Sequence, residues 1–273
     1  MQSGYYSAAA GMVTQFNRLD TIANNLANVN TVGFKEDNLI VGDFMRIYKE
    51  ARDKLPNENQ SEDGAAFLNR TITRAPQIVD AYTDQTVGNM QITDNPMDFA
   101  LSREGLFFLV KTPQGVRLTR DGTFTKDEDG RLVTKQGYEV LPSNYFQAGG
   151  NITFNDDENI IESDKHGQIY KNLPNSTNLV LSSKLFVAQP DNIAFLKKEA
   201  NGLYRYDGLD DLVPLEESGA VLHGTTEKSN VNAVKMMTNM IETNRLVGMY
   251  QKAMQVQMDD MNSDAINKIA RKA

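Results

Sequence analysis

The chain has 273 residues, of which 40% are hydrophobic and 23% are charged, and it contains no cysteine. This length is sufficient for one large domain or two modest ones, and the missing cysteines exclude disulfides, thiolate metal sites and cysteine nucleophiles. Its 28 basic and 36 acidic residues give a net charge of −8, which argues against a nucleic-acid partner.

The first twenty residues, MQSGYYSAAAGMVTQFNRLD, do not have the pattern of a secretory signal, because they lack a basic start and an unbroken apolar core. No apolar run in the chain is long enough to span a membrane. We therefore expect a chain without membrane insertion. If it leaves the cytoplasm, we expect a route that uses no cleaved signal peptide.

The N-terminal segment has the apolar spacing of a packed helix. Apolar residues recur at steps of four and three, which predicts a helix from about Ser3 to about Val29. Asn30, Thr31 and Gly33 are predicted to end it, with Gly33 at positive φ. The repeat forms a seam of Tyr5, Ala9, Met12, Phe16, Leu19, Ala23 and Leu26.

The centre of the chain is more acidic than its ends and has a strand-like pattern. Residues 35–94 are predicted to be a connector with an exposed arm. Within it, residues 37–64 are charged and partly helical in pattern, and residues 50–66 are polar and are predicted to be an exposed loop. Residues 95–228 are predicted to form a mostly β outer domain. Its first hairpin joins LFFLVKT to VRLTRD across Pro113-Gln114-Gly115, and a second turns at residues 127–130.

The C-terminal segment predicts a second, longer amphipathic helix, from Ser229 to about Arg271, with Ser229 as its N-cap. Only Thr243 interrupts its apolar stripe, and Val234, Met237 and Ile241 lie outside the stripe. The stripe residues that we predict to be an interface are Met236, Met240, Val247, Tyr250, Met254, Met258 and Met261.

These elements predict an α+β fold, with a discontinuous coiled-coil-like pair of terminal helices and a mostly antiparallel β domain. Residues 1–34 and 229–273 would form an inner helical domain. Nothing between residues 35 and 228 has the pattern of a third long helix that would complete a bundle. The apolar faces of the terminal helices therefore predict cover by other copies of the chain, although a helical hairpin within one domain is the simpler alternative.

Four groups of residues can be considered as sites for chemistry. His166 with Ser163 and Asp164 lies in one acidic loop, where a solvated surface is the commoner outcome than a catalytic triad. Asp127 and Asp129 fit a β-turn better than a calcium loop, because the register puts threonine and glutamine at required ligand positions. No enzyme, cofactor or metal site is therefore predicted.

Asp98 and Asp121 could be an acid and base pair, but nothing in the sequence places them at the separation that a glycosidase requires. His223 lies in a predicted strand-to-helix connector and has no companions at metal-ligand spacing. We expect neither to carry chemistry.

Two long motifs resemble those of the bacterial flagellar rod and hook proteins. The first is ANNLANVNTVGFK, from Ala23 to Lys35, and the second runs from Glu227 to Met261 and begins EKSNVNAV. Residues 95–141, NPMDFALSREGLFFLVKTPQGVRLTRDGTFTKDEDGRLVTKQGYEVL, look like the core β segment of that family. The motif and turn residues are Asn24, Asn25, Asn28, Thr31, Gly33, Phe34, Ser229, Asn230 and Asn232.

The resemblance implies a structural subunit of the flagellar basal body. In that family the terminal helices pair as the inner layer of a hollow helical shaft, and the subunits reach the periplasmic rod through the flagellar type III export apparatus. The resemblance also implies that this chain assembles with its own copies, with other rod proteins and with the hook, and that it contacts ring proteins. A free-standing binding or adhesin module is the alternative from another class, but it leaves the terminal seams unexplained.

The type of axial protein is predicted from two features. The charged segment after Lys35 differs from the Ser, Gly and Gln-rich insertion of distal rod proteins, and NVNAV at Asn230 to Val234 looks like the proximal rod motif. We expect a proximal rod subunit, with the distal rod protein as the alternative. A hook subunit is a weaker third alternative, because the chain has little room for further outer domains.

Overall fold

The computed structural model describes residues 2–43, 76–154, 160–164, 167–172, 179–209, 212–215 and 219–270. The predicted exposed loop at residues 50–66 lies outside these residues, and so does His166. The described residues form two compact units. The helical unit comprises residues 2–27, 37–43, 76–83 and 232–270, and the β unit comprises residues 28–36 and the described residues between 84 and 231.

The helical unit contains both long helices and one antiparallel pair of strands. Helix α1 spans Gln2–Ala27 and the C-terminal helix spans Ala233–Ala270, which at about 1.5 Å per residue is about 57 Å long. Strands β1 (Asp37–Asp43) and β2 (Pro76–Thr83) pair in antiparallel, with a register shift between Ile40 and Val41. Residues 37–43 are therefore a strand, and the partly helical pattern of this stretch was misleading, because the β-branched Ile40 and Val41 favour a strand.

The β unit is built from short strands, as the turn chemistry predicts. In chain order they are β3 (Met90–Ile92), β4 (Phe99–Leu101), β5 (Phe107–Thr112), β6 (Gly115–Thr119), β7 (Phe124–Lys126), β8 (Leu132–Thr134) and β9 (Glu139–Val140). After the short helix α2 (Tyr145–Ala148) come β10 (Ile160–Ser163), β11 (Gln168–Asn172), β12 (Leu179–Lys184), β13 (Val187–Ala188), β14 (Lys197–Lys198), β15 (Leu203–Arg205), β16 (Val221–His223) and β17 (Thr225–Glu227). The C-terminal helix is α3.

All pairings in the β unit are antiparallel. The largest sheet has the order β14-β15-β6-β5-β9-β8-β7, with β13 added to β5. Strands β10, β11 and β12 form a second sheet, while β16 pairs with β4 and β17 with β3. Both predicted hairpins, β5-β6 and β7-β8, are present. His223 ends strand β16 and does not lie in the connector where the sequence had placed it.

The core of the β unit lies on both faces of β5. Phe108 and Val110 pack into one apolar cluster, and Phe107 and Leu109 pack into another. Because successive side chains of a strand point to opposite faces, a strand that is covered on both sides needs an unbroken apolar run. This requirement explains the sequence LFFLV. The ring of Phe124 packs edge-on against Phe108, with ring centroids 5.3 Å apart.

The observed helix ends differ from the predicted ones by a few residues. Helix α1 ends at Ala27, so Asn24 and Asn25 lie in its last turn and not in the turn that follows. Helix α3 begins at Ala233, so Ser229 is not its N-cap. Among the described residues the longest helix between α1 and α3 is the four-residue α2, which agrees with the predicted lack of a third long helix. None of the described helices combines the length and apolar composition needed to cross a membrane.

Candidate functional site

Helices α1 and α3 pack closely where α1 carries glycine. A Cβ atom added to Gly11 would lie 2.6 Å from the ring of Tyr250, and one added to Gly4 would lie 2.5 Å from the amide of Gln257. Glycine inside a helix costs about 1 kcal/mol relative to alanine, so it is unfavourable here unless packing needs the space. The close contact of the two helices therefore explains why the first three turns contain glycine.

The predicted stripe of α3 is its most buried face. Met236 and Val247 are buried. Thr243, which interrupts the apolar pattern, is also buried, and its hydroxyl is satisfied because it donates to the carbonyl of Asn239 at 2.7 Å. Four more stripe residues are half-buried, and Met258 is exposed. The half-buried residues are Met240, Tyr250, Met254 and Met261.

The predicted seam of α1 is not the face that this helix buries within the helical unit. Its buried positions are Ala8, Gly11, Thr14, Gln15, Ile22 and Asn25, which are displaced around the helix from the seam. Seam residues Tyr5, Ala9, Met12, Leu19 and Leu26 are half-buried, and Phe16 and Ala23 are exposed. Much of the seam is therefore left for contacts outside this unit.

Both helices also present apolar residues to solvent. On α1, Tyr6 and Val13 are 68% and 56% exposed. On α3, Val234 and Ile241 are exposed on the side opposite to Met236 and Val247, as their spacing at 100° per residue requires, and Met237 is exposed on the flank between the two sides. A helix with apolar residues on opposite sides is typical of one that is covered by more than one neighbour.

In the N-terminal motif, the side chain of Asn25 binds backbone and the side chain of Asn28 binds another side chain. The side chain of Asn25 is buried and binds both backbone groups of Asp37, donating to its carbonyl at 2.8 Å and accepting from its N–H at 3.0 Å. Asn28 accepts a hydrogen bond from the hydroxyl of Thr31 at 3.1 Å. Asn25 therefore fixes the start of β1, while Asn28 and Thr31 shape the turn.

The C-terminal motif supplies the cap of α3 from Asn232. Its Oδ1 accepts from the N–H of Lys235 at 3.0 Å, which is the N-cap bond that we had assigned to Ser229. Ser229 instead accepts from the N–H of Val231 at 3.2 Å. The sequence contains two candidate caps three residues apart, and spacing alone did not separate them.

The two motifs meet at a buried ion cluster in the β unit, which we call the Glu227 cluster: Lys35, Arg120 and Glu227. Lys35 Nζ lies 2.6 Å from Glu227 Oε1, and Arg120 Nη2 lies 2.6 Å from Glu227 Oε2. Each of the three side chains is exposed to 1% or less. The sequence analysis missed this cluster, because its members are up to 192 residues apart and no spacing pattern links them.

Each side-chain nitrogen of Lys35 and Arg120 has an oxygen atom as its hydrogen-bond partner. Arg120 also donates to the carbonyls of Arg103 at 2.7 Å and Leu106 at 2.8 Å. Lys35 also donates to the carbonyl of Thr86 at 2.6 Å. Burial, together with the neighbouring charge of Arg120, lowers the pKa of Lys35 from its ordinary value of 10.5, while Glu227 opposes this change.

Gly33 and Phe34 complete the N-terminal motif. Gly33 has φ +69°, and its N–H donates to the carbonyl of Glu227 at 2.8 Å. The ring of Phe34 is buried and lies 3.8 Å below the ammonium group of Lys198. The prediction of positive φ at Gly33 is confirmed.

The aspartates that were considered for acid–base or calcium chemistry form hydrogen bonds and ion pairs with neighbouring side chains. Asp121 accepts from the hydroxyl of Thr123 at 2.6 Å, and Asp98 accepts from that of Thr93 at 2.7 Å. Asp127 and Asp129 both pair with Arg131. Among the described residues, no three His, Asp or Glu side chains come together as metal ligands would.

Asp121 makes stability depend on pH. Burial raises the pKa of this carboxyl above 3.8, and the charge of Asp98 adds to the effect. The folded state therefore loses stability as the pH rises from about 4 through the raised pKa, because the charged form is the disfavoured one. Asp121→Asn keeps an acceptor for Thr123. We expect it to be at least as stable as the parent at pH 7, and thermal unfolding at pH 4 and 7 should show the advantage only at pH 7.

Comparison with known proteins matches all three parts of the chain to flagellar families. Residues 6–35 match the flagella basal body rod protein family, residues 100–171 match the flagellar hook protein FlgE/F/G D1 domain, and residues 222–268 match the flagellar basal body rod FlgEFG protein C-terminal family. The flagellar basal-body rod protein FlgG of Agrobacterium fabrum is 31% identical over 90% of this chain and 91% of its own length. The chain belongs to the flagellar basal-body rod protein family.

Other members of the rod protein family are similar at almost the same level. FlgG of Buchnera aphidicola subsp. Baizongia pistaciae is 30% identical over 87% of this chain and 89% of its own length. The basal-body rod protein FlgF of Caulobacter vibrioides is 29% identical over 90% of this chain and 89% of its own length. As a member of this family the chain is a structural subunit of the rod. The hypothesis of a free-standing binding or adhesin module is not needed.

Proposed function

We propose that this rod protein is a proximal rod subunit that catalyses no reaction and polymerises through its terminal helices. The observation that carries the proposal is the placement of apolar residues on α1 and α3. Both helices bury one face within the helical unit and leave a second apolar face exposed. Removing such faces from water stabilises association by roughly 25 cal/mol per Å².

The contacting surfaces are assigned from the predicted seams. We propose that α1 and α3 pair in a coiled-coil-like manner along the α3 stripe, and that other copies cover the rest. The proposed interface residues are Tyr5, Ala9, Met12, Phe16, Leu19, Ala23, Leu26, Met236, Met240, Val247, Tyr250, Met254, Met258 and Met261. We propose that the exposed face of α1 in one copy contacts the exposed face of α3 in the next. Such a head-to-tail contact builds an open helical polymer when its rotation does not close a ring.

Family membership supports a proposal for the location of the subunit and its export route. We propose that the subunit crosses the inner membrane through the flagellar type III apparatus without losing a leader and assembles in the periplasmic part of the rod. Other rod proteins, the hook and ring proteins are the proposed neighbours. Mass spectrometry of the protein from purified basal bodies should find the peptide that begins at Met1 or Gln2, and a mature start further along the chain would contradict this route.

A substitution of Phe16 tests whether the exposed face of α1 is a polymerisation surface, because it should not affect folding of the subunit. It is 43% exposed in the subunit, so Phe16→Asp should leave thermal unfolding of the purified chain almost unchanged. If other copies cover it, a buried carboxylate without a partner costs several kcal/mol at each contact, and assembly should fail. Electron microscopy of basal bodies should then show no rod beyond the incorporation point of this subunit.

The matched control is Asn17→Asp, which introduces the same charge at the next position of α1, where the native side chain is exposed and polar. It should assemble as the parent does. Normal rods with Phe16→Asp would show that this face is not an interface.

The position along the rod needs a separate measurement. The relatives named FlgG and FlgF have 29–31% identity to this chain, so similarity alone does not separate a proximal from a distal subunit. Quantitative mass spectrometry of purified hook-basal bodies gives the copy number relative to hook and to other rod subunits. A low, fixed ratio supports the proximal position, and a several-fold higher ratio would favour the distal one.

A further inference from the structure

The chain passes between the helical unit and the β unit four times, after residues 27, 36, 83 and 231. Three of these crossings are joined inside the β unit by a closed set of hydrogen bonds, which we call the Asn230 ring: Glu36, Asp84 and Asn230. The N–H of Glu36 donates to Asn230 Oδ1 at 2.8 Å, and Asn230 Nδ2 donates to the carbonyl of Asp84 at 2.9 Å. The N–H of Asp84 closes the ring by donating to the carbonyl of Glu36 at 2.8 Å.

The Glu227 cluster joins the same three segments a second time, a few residues further from the crossings. Lys35 binds both Glu227 and the carbonyl of Thr86, and the N–H of Gly88 donates to Glu227 Oε1 at 2.9 Å. The bond from Gly33 N–H to the carbonyl of Glu227 adds the segment that follows the remaining crossing, after residue 27. All chain segments that leave the β unit are therefore tied to residues 227–230.

Asparagine suits the Asn230 position for a chemical reason. Its amide carries an acceptor and two donors, so one side chain can satisfy an N–H of one segment and a carbonyl of another. An aspartate would accept from Glu36 but could not donate to Asp84. The side chain of Asn230 is only half-buried, so its bonds contribute modestly to global stability.

We propose that Asn230 is a positioning residue that protects the chain crossings against local opening when the rod transmits torque. This inference rests on the proposed function as a rod subunit. In a rotating shaft, load passes along the chain segments that connect the two units of each subunit. Bonds that close a ring share such a load, whereas a segment held alone opens first. Opening under force depends on the local unfolding rate and not on equilibrium stability alone.

The test compares Asn230→Ala with the parent in a strain whose only copy of this subunit comes from a plasmid. We expect normal numbers of basal bodies and normal swimming in dilute medium. In medium thickened with methylcellulose we expect several-fold more hooks with filaments to detach and motile cells to become fewer. Asn230→Asp should behave like Asn230→Ala, because it also lacks the donor to Asp84.

Arg131→Met is the matched control, because it removes ion pairs with Asp127, Asp129 and Glu139 in the β unit away from the crossings. It should detach filaments no more often than the parent. Equal detachment of Asn230→Ala and the parent at high viscosity would overturn the proposal. Loss of basal bodies at all viscosities would overturn it too, since Asn230 would then act on folding or assembly.

A separate experiment tests the proposed function independently of the role of Asn230. If cells that lack the subunit entirely still build complete rods, the chain is not a rod subunit. That result is read from the deletion strain alone and does not depend on any Asn230 variant.

Discussion

Glu227→Gln is expected to destabilise the β unit by about 3–5 kcal/mol, because it leaves the two buried cations of the Glu227 cluster without an anion. The substitution keeps the size of the side chain and one acceptor oxygen, so the loss reports charge and not volume. Urea unfolding followed by tyrosine fluorescence measures it directly, since the chain has ten tyrosines and no tryptophan.

Lys35→Met is the matched variant. It removes one of the two cations and leaves Glu227 paired with Arg120, so the remaining buried charge is balanced. We expect a clearly smaller loss than for Glu227→Gln, mainly from the hydrogen bond to the carbonyl of Thr86, at about 1–3 kcal/mol. If the two variants lose equal stability, charge balance does not govern the cluster.

The pH dependence adds a second check on Glu227→Gln. The pKa of Lys35 is already lowered from 10.5, and removing the carboxylate lowers it further. Between that folded pKa and 10.5 the unfolded chain binds more protons than the folded one, so stability from this group rises with pH. The deficit of Glu227→Gln relative to the parent should therefore shrink as the pH is raised from 7 towards 10.

Much of the fold follows from local patterns. The apolar run LFFLV predicted a strand, and the structure shows why no polar residue interrupts it, since β5 is covered on both faces. Helix α3 was predicted to within four residues at its start, because its period of 3.6 residues is sustained over many turns. Patterns of this kind are local, so one sequence is sufficient to find them.

The Glu227 cluster and the orientation of α1 could not be predicted in the same way. Lys35 and Glu227 each lie in a recognised motif, yet their pairing depends on a contact between segments 192 residues apart. On α1, the apolar repeat identified a helix but not which face is buried within the subunit. Small residues determine which face is buried, since Gly4 and Gly11 allow α3 to approach α1 closely. Hydrophobic periodicity does not count glycine as an apolar residue, so it misses this face.

Gly33→Ala should be the most damaging single methyl addition in the N-terminal motif. At φ +69° an alanine is strained by about 1–3 kcal/mol. Its Cβ would also lie 2.6 Å from the backbone carbon of Arg120 and the nitrogen of Asp121, and backbone atoms cannot move aside as a flexible side chain can. Displacing this backbone shifts Arg120 relative to Glu227, so the added methyl group also disturbs the buried ion cluster.

Gly137→Ala separates these two effects. Gly137 has φ +82°, but no atom lies within 4 Å of a Cβ built there, so this control measures backbone strain alone. Urea unfolding should show a loss of about 1–3 kcal/mol for Gly137→Ala. For Gly33→Ala the loss should be larger by about 1–3 kcal/mol, the typical cost of overpacking. If the two variants unfold at the same urea concentration, the close approach of Arg120 does not constrain Gly33. The absence of a side chain at Gly33 would then matter only for the turn, and the segment Gly33–Lys35 would be coupled to Glu227 through Lys35 and the backbone N–H of Gly33.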